Sequence, residues 1–506
     1  YRLVTVRSDA LGRLFALIFT IMAFAGGLFA LRQESKLELG AAFVSAGSAV
    51  GIALAGDLIT LFVFWELMAL ASTTVLISVG SDGAVRTATR YFLVHMLGGA
   101  FLLSGILIHI AQTGDIHFGP MDPTTLSGGL ILAGVLLNAA APPLSAWLAD
   151  AYPEASYSGT VFLSAFTTKA AVYVLLRGFP GAEILVFIGV FMIFYGIIYA
   201  LLENDMRRIL AYSIVNQVGF MVTGIGIGTQ MALNGAAAHA FAHIIYKALL
   251  LMSAGTVLHM TGKRKCTDLG GLFQSMPLTT ICGVIGALSI SSFPGTSGFI
   301  SKSMINQAAA DEHMAAVWYL LTAASAGVFL HAGIKFPWFV FFQKDSGLRP
   351  PDPPWPMRWA MILFAFLCIA LGVWPQHLYA LLPYPVDYQP YIVPHVVNML
   401  QLLLFSGMAF FLMLPLMKRT LTITLDFDWF YRTLGPGVIV SAADRIQRGH
   451  LALETGLQAR LDDAMKLAGR CFGEESPLAR TAETSQMVLT VLGVLFAFLF
   501  LAFFVW

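Results

Sequence analysis

The sequence predicts an all-α polytopic membrane protein with about fourteen transmembrane helices, two of them broken. Three observations carry that prediction. Of the 506 residues 58% are hydrophobic and 11% charged, whereas a soluble domain carries about 25% charged residues. Apolar stretches near the roughly 20 residues that a helix needs to cross a bilayer recur along almost the whole chain. Two of them are interrupted, around Ala141-Pro142-Pro143 and Phe293-Pro294-Gly295, where a helix loses backbone hydrogen bonds and must bend or unwind.

In order, the spans are 11–31, 38–56, 58–79, 88–112, 127–150, 157–178, 182–203, 208–229, 235–260, 277–308, 314–342, 357–377, 396–416 and 485–506. The proline breaks fall in 127–150 and 277–308, five spans apart, and an odd offset places the two copies in opposite orientation. The segment AFLLSGILIHIAQTG at 100–114 echoes ALLLMSAGTVLHMTG at 248–262. Paired broken helices and such an echo fit an inverted five-helix repeat. Residues 438–472 differ in kind: Leu451, Leu453, Leu457, Leu461, Met465 and Leu467 recur near helical spacing among charges. They predict an amphipathic lateral helix lying on a surface, with a reach on the order of 50 Å, re-anchored by the last span. The resulting division is an N-terminal span (1–37), a first repeat (38–178), a second repeat (179–342), additional spans (343–416), the lateral-helix region (417–484) and the anchor (485–506).

The net charge of +1 suggests no nucleic-acid or acidic partner. Cys266, Cys282, Cys368 and Cys471 are scattered without a C-x-x-C, so neither an iron–sulfur cluster nor a zinc site is indicated. No cofactor or resident metal is expected, and no catalytic residue. Arg32, Lys36, Arg86, Arg90, Arg207, Arg208, Lys263, Arg264, Lys265, Lys344, Arg349 and Arg358 gather on one side of the spans. Arg2, Arg7, Arg13 and Arg177 gather on the other. The positive-inside rule makes the first side cytoplasmic, with the lateral helix on it. The chain begins with Tyr1, so the sequence is expected to be part of a longer translation product.

Glu66, Lys169, His239, His243, Lys247 and Lys302 each lie inside an apolar span. A charge at bilayer depth costs about 2.5–3.5 kcal/mol on the mildest scale, so six such groups point to a path for protons or cations. Glu66 has no cation one turn away, and burial disfavours its charged form unless a distant cation pairs with it. Lys169 is too deep in its span to snorkel. His239, His243 and Lys247, spaced by four, form one stripe on one helix, and histidine relays protons because both ring nitrogens exchange them. A metal site at His239 and His243 lacks an evident third ligand. Lys302 follows the second break, where an unwound helix exposes carbonyls. His331 and Lys335, again spaced by four, and His95 are secondary candidates, while Asp57, His109 and His259 read as interfacial.

Five segments together resemble the antiporter-like subunits shared by Mrp-type multisubunit cation/proton antiporters, respiratory complex I and membrane-bound hydrogenases. They are GDLITLFVFWELMAL, PPLSAWLADAYPEAS, DMRRILAYSIVNQVGFM, HAFAHIIYKALLLMSAG and SSFPGTSGFISKSM, and they cover roughly residues 40–342 in the family's order. The resemblance implies that Glu66 is the family's essential carboxylate, Lys247 its central lysine, His239 and His243 the relay histidines, and Lys302 the terminal lysine. Lys169 matches a lysine found on the family's eighth helix. It also implies that residue 11 begins the family's third helix, with the two helices usual at the N-terminus absent from this sequence, and that the final surface helix resembles a shorter form of the lateral helix of the distal complex I subunit. One position departs: Asn138 stands where the family has a lysine paired with the carboxylate, five residues before Pro143-Leu144-Ser145-Ala146-Trp147. Either Lys169 then partners Glu66, or the first half-channel is altered or silent.

The expected function is that of a proton-translocating subunit in a multisubunit complex of a bacterial or archaeal cytoplasmic membrane. Glu66 would hold Lys169 charged, and a released proton would pass through His239 or His243 to Lys247 and on to Lys302. Its partners would be other membrane subunits, reached through the lateral helix, the lipid bilayer, and protons with or without Na+ or K+. The rivals are Na+ or K+ exchange as the main flux, a structural subunit with a silent channel, a subunit of a redox complex whose redox chemistry lies in its partners, and a carrier of organic solutes. The last would not need three intramembrane lysines.

Overall fold

The computed structural model describes residues 2–415, 429–473, 476 and 481–505. The chain falls into two units, Tyr1–Asp428 and Trp429–Trp506. Among the described residues the regular structure is helical, with twelve helices long and apolar enough to cross a membrane. It is an integral membrane protein.

In the first unit the helices are α1 (Ala10–Phe29), α2 (Lys36–Leu54), α3 (Leu58–Ile77), α4 (Asp82–Thr113), α5 (Leu126–Asn138), α6 (Ala146–Glu154), α7 (Gly159–Gly178), α8 (Ile184–Leu202), α9 (Met206–Ile227), α10 (Gln230–Thr261), α11 (Pro277–Ile290), α12 (Ser297–Asp311), α13 (Ala315–Phe342), α14 (Trp355–Val373), the short α15 (Gln376–Tyr379) and α16 (Val393–Met413). Starts are marked by side-chain caps: Asp57, Ser81, Thr125, Asp205 and Thr229 each accept a first-turn N–H.

The two spans interrupted at Pro142-Pro143 and Pro294 are pairs of short helices. After α5, Ala140 takes a left-handed φ of 61°, and after α11 Ser292 takes 60°. Each is the reversing residue of a cap that closes the half-helix: Ala141 N–H donates to Leu136 O and Ala140 N–H to Leu137 O, and likewise Phe293 to Leu288 and Ser292 to Ser289. Pro142-Pro143 and Pro294 then keep the helix from resuming.

Helix limits recur at a fixed spacing. α8 starts and ends 148 residues after α2, and α10 starts and ends 148 residues after α4. The same spacing relates the isolated bridges Asp57–His117 and Asp205–Lys265, and the left-handed glycines Gly114 and Gly262. It becomes 152 at the ends of α5 and α11, Asn138 and Ile290.

α7 and α9 are buried along their length and α10 nearly so, whereas α8, α13 and α16 leave large apolar side chains on the outside. The central helices are also less apolar than α8. A helix screened from lipid by its neighbours can carry polar side chains that a lipid-facing one cannot.

At one end of the bundle Arg207, on the first turn of α9, is buried and donates to Pro153 O (2.9 Å), Ala155 O (2.8 Å) and Ser156 O (2.8 Å) at the end of α6. Arg264 bridges Asp205 (3.0 Å) and Glu154 (2.9 Å) at the same end. At the far end of α7, Arg177 pairs with Asp9 at 2.8 Å. In the loop after α13, bonds from Arg349 and from Gly347 N–H hold the Asp345 carboxyl at about 2, well below the usual carboxylate range.

The second unit consists of a short π-helical turn (Phe430–Leu434), α17 (Gly435–Phe472) and α18 (Thr484–Val505). α17 starts within three residues of the amphipathic stretch read from the sequence. Its 38 residues reach about 57 Å at 1.5 Å each. Residues 417–428 of the expected lateral-helix region lie outside the described residues.

Candidate functional site

Five of the six primary candidates come together on the central helices. Lys169 on α7, His239, His243 and Lys247 on α10 and Lys302 on α12 are all buried. His243 lies within electrostatic reach of the other four.

Each ammonium is held by oxygen. Lys169 Nζ turns back along its own helix to Ser164 O (2.6 Å) and Thr168 Oγ1 (3.0 Å). Lys247 Nζ crosses to α9 and donates to Ser213 Oγ (2.8 Å) and Leu210 O (3.1 Å). Lys302 Nζ donates to Ile290 O (2.8 Å), the last residue of α11, and stands 4.8 Å from the centre of the Phe220 ring, a cation–π contact.

Between the lysines runs a hydrogen-bonded chain. Ser301 Oγ is 3.0 Å from His239 Nδ1, and His239 Nε2 is 3.2 Å from Gln217 Oε1, which also accepts from Tyr246 OH at 3.0 Å. Gln217 Nε2 donates to Asn216 Oδ1 at 2.5 Å, and Asn216 Nδ2 to His331 Nε2 at 2.7 Å. A carboxamide oxygen only accepts, so this pattern puts the His239 proton on Nε2 and leaves Nδ1 to accept from Ser301. At the other end His331 accepts at Nε2 and carries its proton on Nδ1, which is buried without a partner. His243, whose two ring nitrogens are both buried without partners, lies edge-on to Tyr246 at 5.2 Å. Unpartnered polar atoms at this depth mark places for water.

His331 thus joins the site from a π-helical stretch of α13 (Phe329–Lys335). Lys335 does not. Its ammonium rests on Ala200 O (3.2 Å), Leu201 O (2.6 Å) and Glu203 O (2.5 Å), the carbonyl end of α8. A cation there completes helix-end acceptors and complements the dipole.

Glu66, His95 and Asn138 form a separate group around α4. Glu66 is half-buried, with Oε1 unpartnered. It lies against Gly99, where an added Cβ would stand 2.0 Å from Oε1. Asn138 is fully buried, with both side-chain polar atoms unpartnered, and its Oδ1 is 3.2 Å from the place a Cβ of Gly98 would take. His95 is stacked on Tyr91 (3.9 Å) and edge-on to Trp147 (4.5 Å). Its Nδ1 is 2.8 Å from Tyr91 O and its Nε2 is unpartnered. The Glu66–Lys169 ion pair expected from the sequence is not formed. The lysine folds onto its own helix and the carboxylate faces α4, and among the described residues Glu66 has no ion pair.

Asn216, Gln217, Ser213, Tyr246 and Ser301 were not singled out in the sequence. The available signal was the adjacent amide pair Asn216-Gln217 in the middle of an apolar span. Among the described residues no group of three or more His, Cys, Asp or Glu side chains could hold a metal ion.

Comparison with known proteins identifies the family. The chain is 34% identical over 274 residues to NADH-quinone oxidoreductase subunit N of Desulforudis audaxviator, covering 50% of this chain and 54% of that protein. It is 31% identical over 274 residues to a protein of the Na(+)/H(+) antiporter of Alkalihalophilus pseudofirmus, covering 50% and 55%. The matched stretch thus spans about half the length of each. The fold matches a chain of the Mrp complex from Dietzia with a TM-score of 0.69 at 21% identity, over 80% of this chain and 86% of that one. Residues 55–329, more than half of the sequence, match the model of the NADH:quinone oxidoreductase/Mrp antiporter transmembrane family, and the chain belongs to that family.

Proposed function

We propose that this chain is a proton-translocating, cation/proton antiporter-like subunit of a multisubunit membrane complex. The observation that carries the reading is the buried chain Ser301–His239–Gln217–Asn216–His331, flanked by Lys169, Lys247 and Lys302. Lysines and histidines exchange protons. The amides do not, but they fix which ring nitrogen of His239 and His331 carries one. A proton arriving at Lys169 passes through water at His243 to Lys247, and by way of His239 to Lys302. The path ends at the second helix break, where the last carbonyl of α11, Ile290 O, receives the ammonium of Lys302.

The 148-residue spacing of helix limits, bridges and left-handed glycines supports two repeats, 38–178 and 179–342, of opposite orientation. We read α17 as the lateral helix, on the cytoplasmic face of a bacterial or archaeal membrane, where its apolar stripe meets neighbouring membrane subunits and lipid. A second reading, exchange of Na+ or K+ against protons, is favoured by Glu66, a carboxylate with no ion pair among the described residues.

The test is Lys247→Ala in the assembled complex, reconstituted in vesicles. We expect proton flux to be abolished with subunit composition unchanged. Normal flux in the variant would remove Lys247 from the path.

A further inference from the structure

Only Met399, Leu403 and Phe410 of α16 are buried, and between this helix, α11 and α13 runs a groove of about 680 Å³. On α16 its lining extends from Leu400 to Phe411, about 16 Å along the axis at 1.5 Å per residue. That matches the hydrocarbon of one leaflet, half of a core about 30 Å thick. On α13 the lining extends from Phe329, halfway along the helix, to its last residue, Phe342. The groove therefore follows the helix axes through the half of the membrane that lies toward Lys344 and Arg349.

The lining is apolar and mostly bulky. Membrane helices associate through small residues that let their backbones approach. The groove offers two glycines, and Gly333 is already closed off, since a Cβ there would stand 2.3 Å from Ser291 Oγ. Large, uneven side chains suit a flexible occupant better than a helix. One polar group among them lacks a partner: the indole N–H of Trp338 is buried and makes no hydrogen bond, with its ring edge-on to Phe411 at 5.0 Å. Trp338 lies about one turn before the end of α13, at the depth where tryptophan meets the headgroup region. A helix from a neighbouring subunit would use its carbonyls in its own hydrogen bonds. The ester carbonyl at the head of a lipid's acyl chain is free to accept.

We propose that this groove binds one acyl chain of a phospholipid, whose ester oxygen accepts from Trp338 Nε1. The inference goes beyond the proposed function and does not depend on it. The bound chain lies behind the wide turn that brings His331 to Asn216, because Phe329 and Gly333 of that turn line the groove.

The test is photolabelling of the full chain in its complex. The complex is reconstituted with a phosphatidylethanolamine that carries a diazirine in one acyl chain, then transferred to detergent before illumination. Label is expected on groove residues of α11, α13 and α16, about tenfold or more above the label on Phe187 and Phe191, which α8 leaves exposed. Gly407→Phe puts a ring into the groove beside Phe329 and should lower groove label about tenfold. Trp338→Phe keeps a ring without the donor and should lower it about fivefold, as the loss of one hydrogen bond does. Label on α8 should not change in either. If Gly407→Phe does not assemble, Met408→Trp fills the same groove. Groove label no higher than that on α8, or undiminished label in either variant, overturns the proposal. So does displacement of the label by a quinone with an isoprenoid tail and not by unlabelled phospholipid, or label that appears in the isolated chain and not in the complex, where a neighbouring subunit would then cover the groove.

Discussion

Gln217 holds the centre of the polar chain with both ends of its amide: the oxygen accepts from His239 and Tyr246, and the nitrogen donates to Asn216. Gln217→Leu keeps the volume and deletes all three bonds. Leaving buried partners unsatisfied costs about 1–3 kcal/mol, so a lowered thermal midpoint is expected. Proton flux in reconstituted vesicles should fall with it, because His239 loses the acceptor that fixes its tautomer. Retained flux would show that the ring finds its orientation without the amide. The lysines and histidines were legible in the sequence because a charge in an apolar run stands out. Gln217 was not, because an uncharged amide costs less to bury. The partner of Lys169 was not legible either. A lysine stem reaches oxygens on its own helix as easily as a carboxylate on another, and only the packed rotamer decides.

At the scale of elements, the two breaks were legible from Pro142, Pro143 and Pro294, and the residues that turn the chain were not. Nothing in the run Asn138-Ala139-Ala140-Ala141 marks its third residue as left-handed. The conformation follows from the cap that closes α5. A Cβ in that region costs roughly 1–2 kcal/mol. Ala140→Gly should therefore raise stability by about 1 kcal/mol, less what glycine's greater freedom in the unfolded chain takes back. A thermal midpoint above that of the unsubstituted protein checks it, and a lower one would mean that the Ala140 methyl packs for more than its strain costs. The π-helical stretch of α13 was equally hidden, since its apolar pattern reads as an ordinary span. Its wide turn brings His331 to Asn216, which is why a residue ranked second in the sequence belongs to the site.

Across the whole molecule, helix order followed from hydropathy because each span is a long local signal. The assignment of α7, α9 and α10 to the interior did not, although their polar content foreshadows it. Arg207 carries the clearest consequence at this scale. It ties the end of α6, a half-helix of nine residues, to the first turn of α9 through three carbonyls. Arg207→Ala takes the donor from Ala155 O, while Pro153 O keeps Arg264 and Ser156 O keeps Thr160, and at about 1–3 kcal/mol for an unsatisfied buried group the thermal midpoint should drop. Arg207→Lys, a point charge without the planar fork, should recover only part of it. Asn216 and Gln217 ride on the same stiff rod, some ten residues further along. Whatever tugs at the first break thus works a tiller, with Arg207 as its pin and the two amides as its blade.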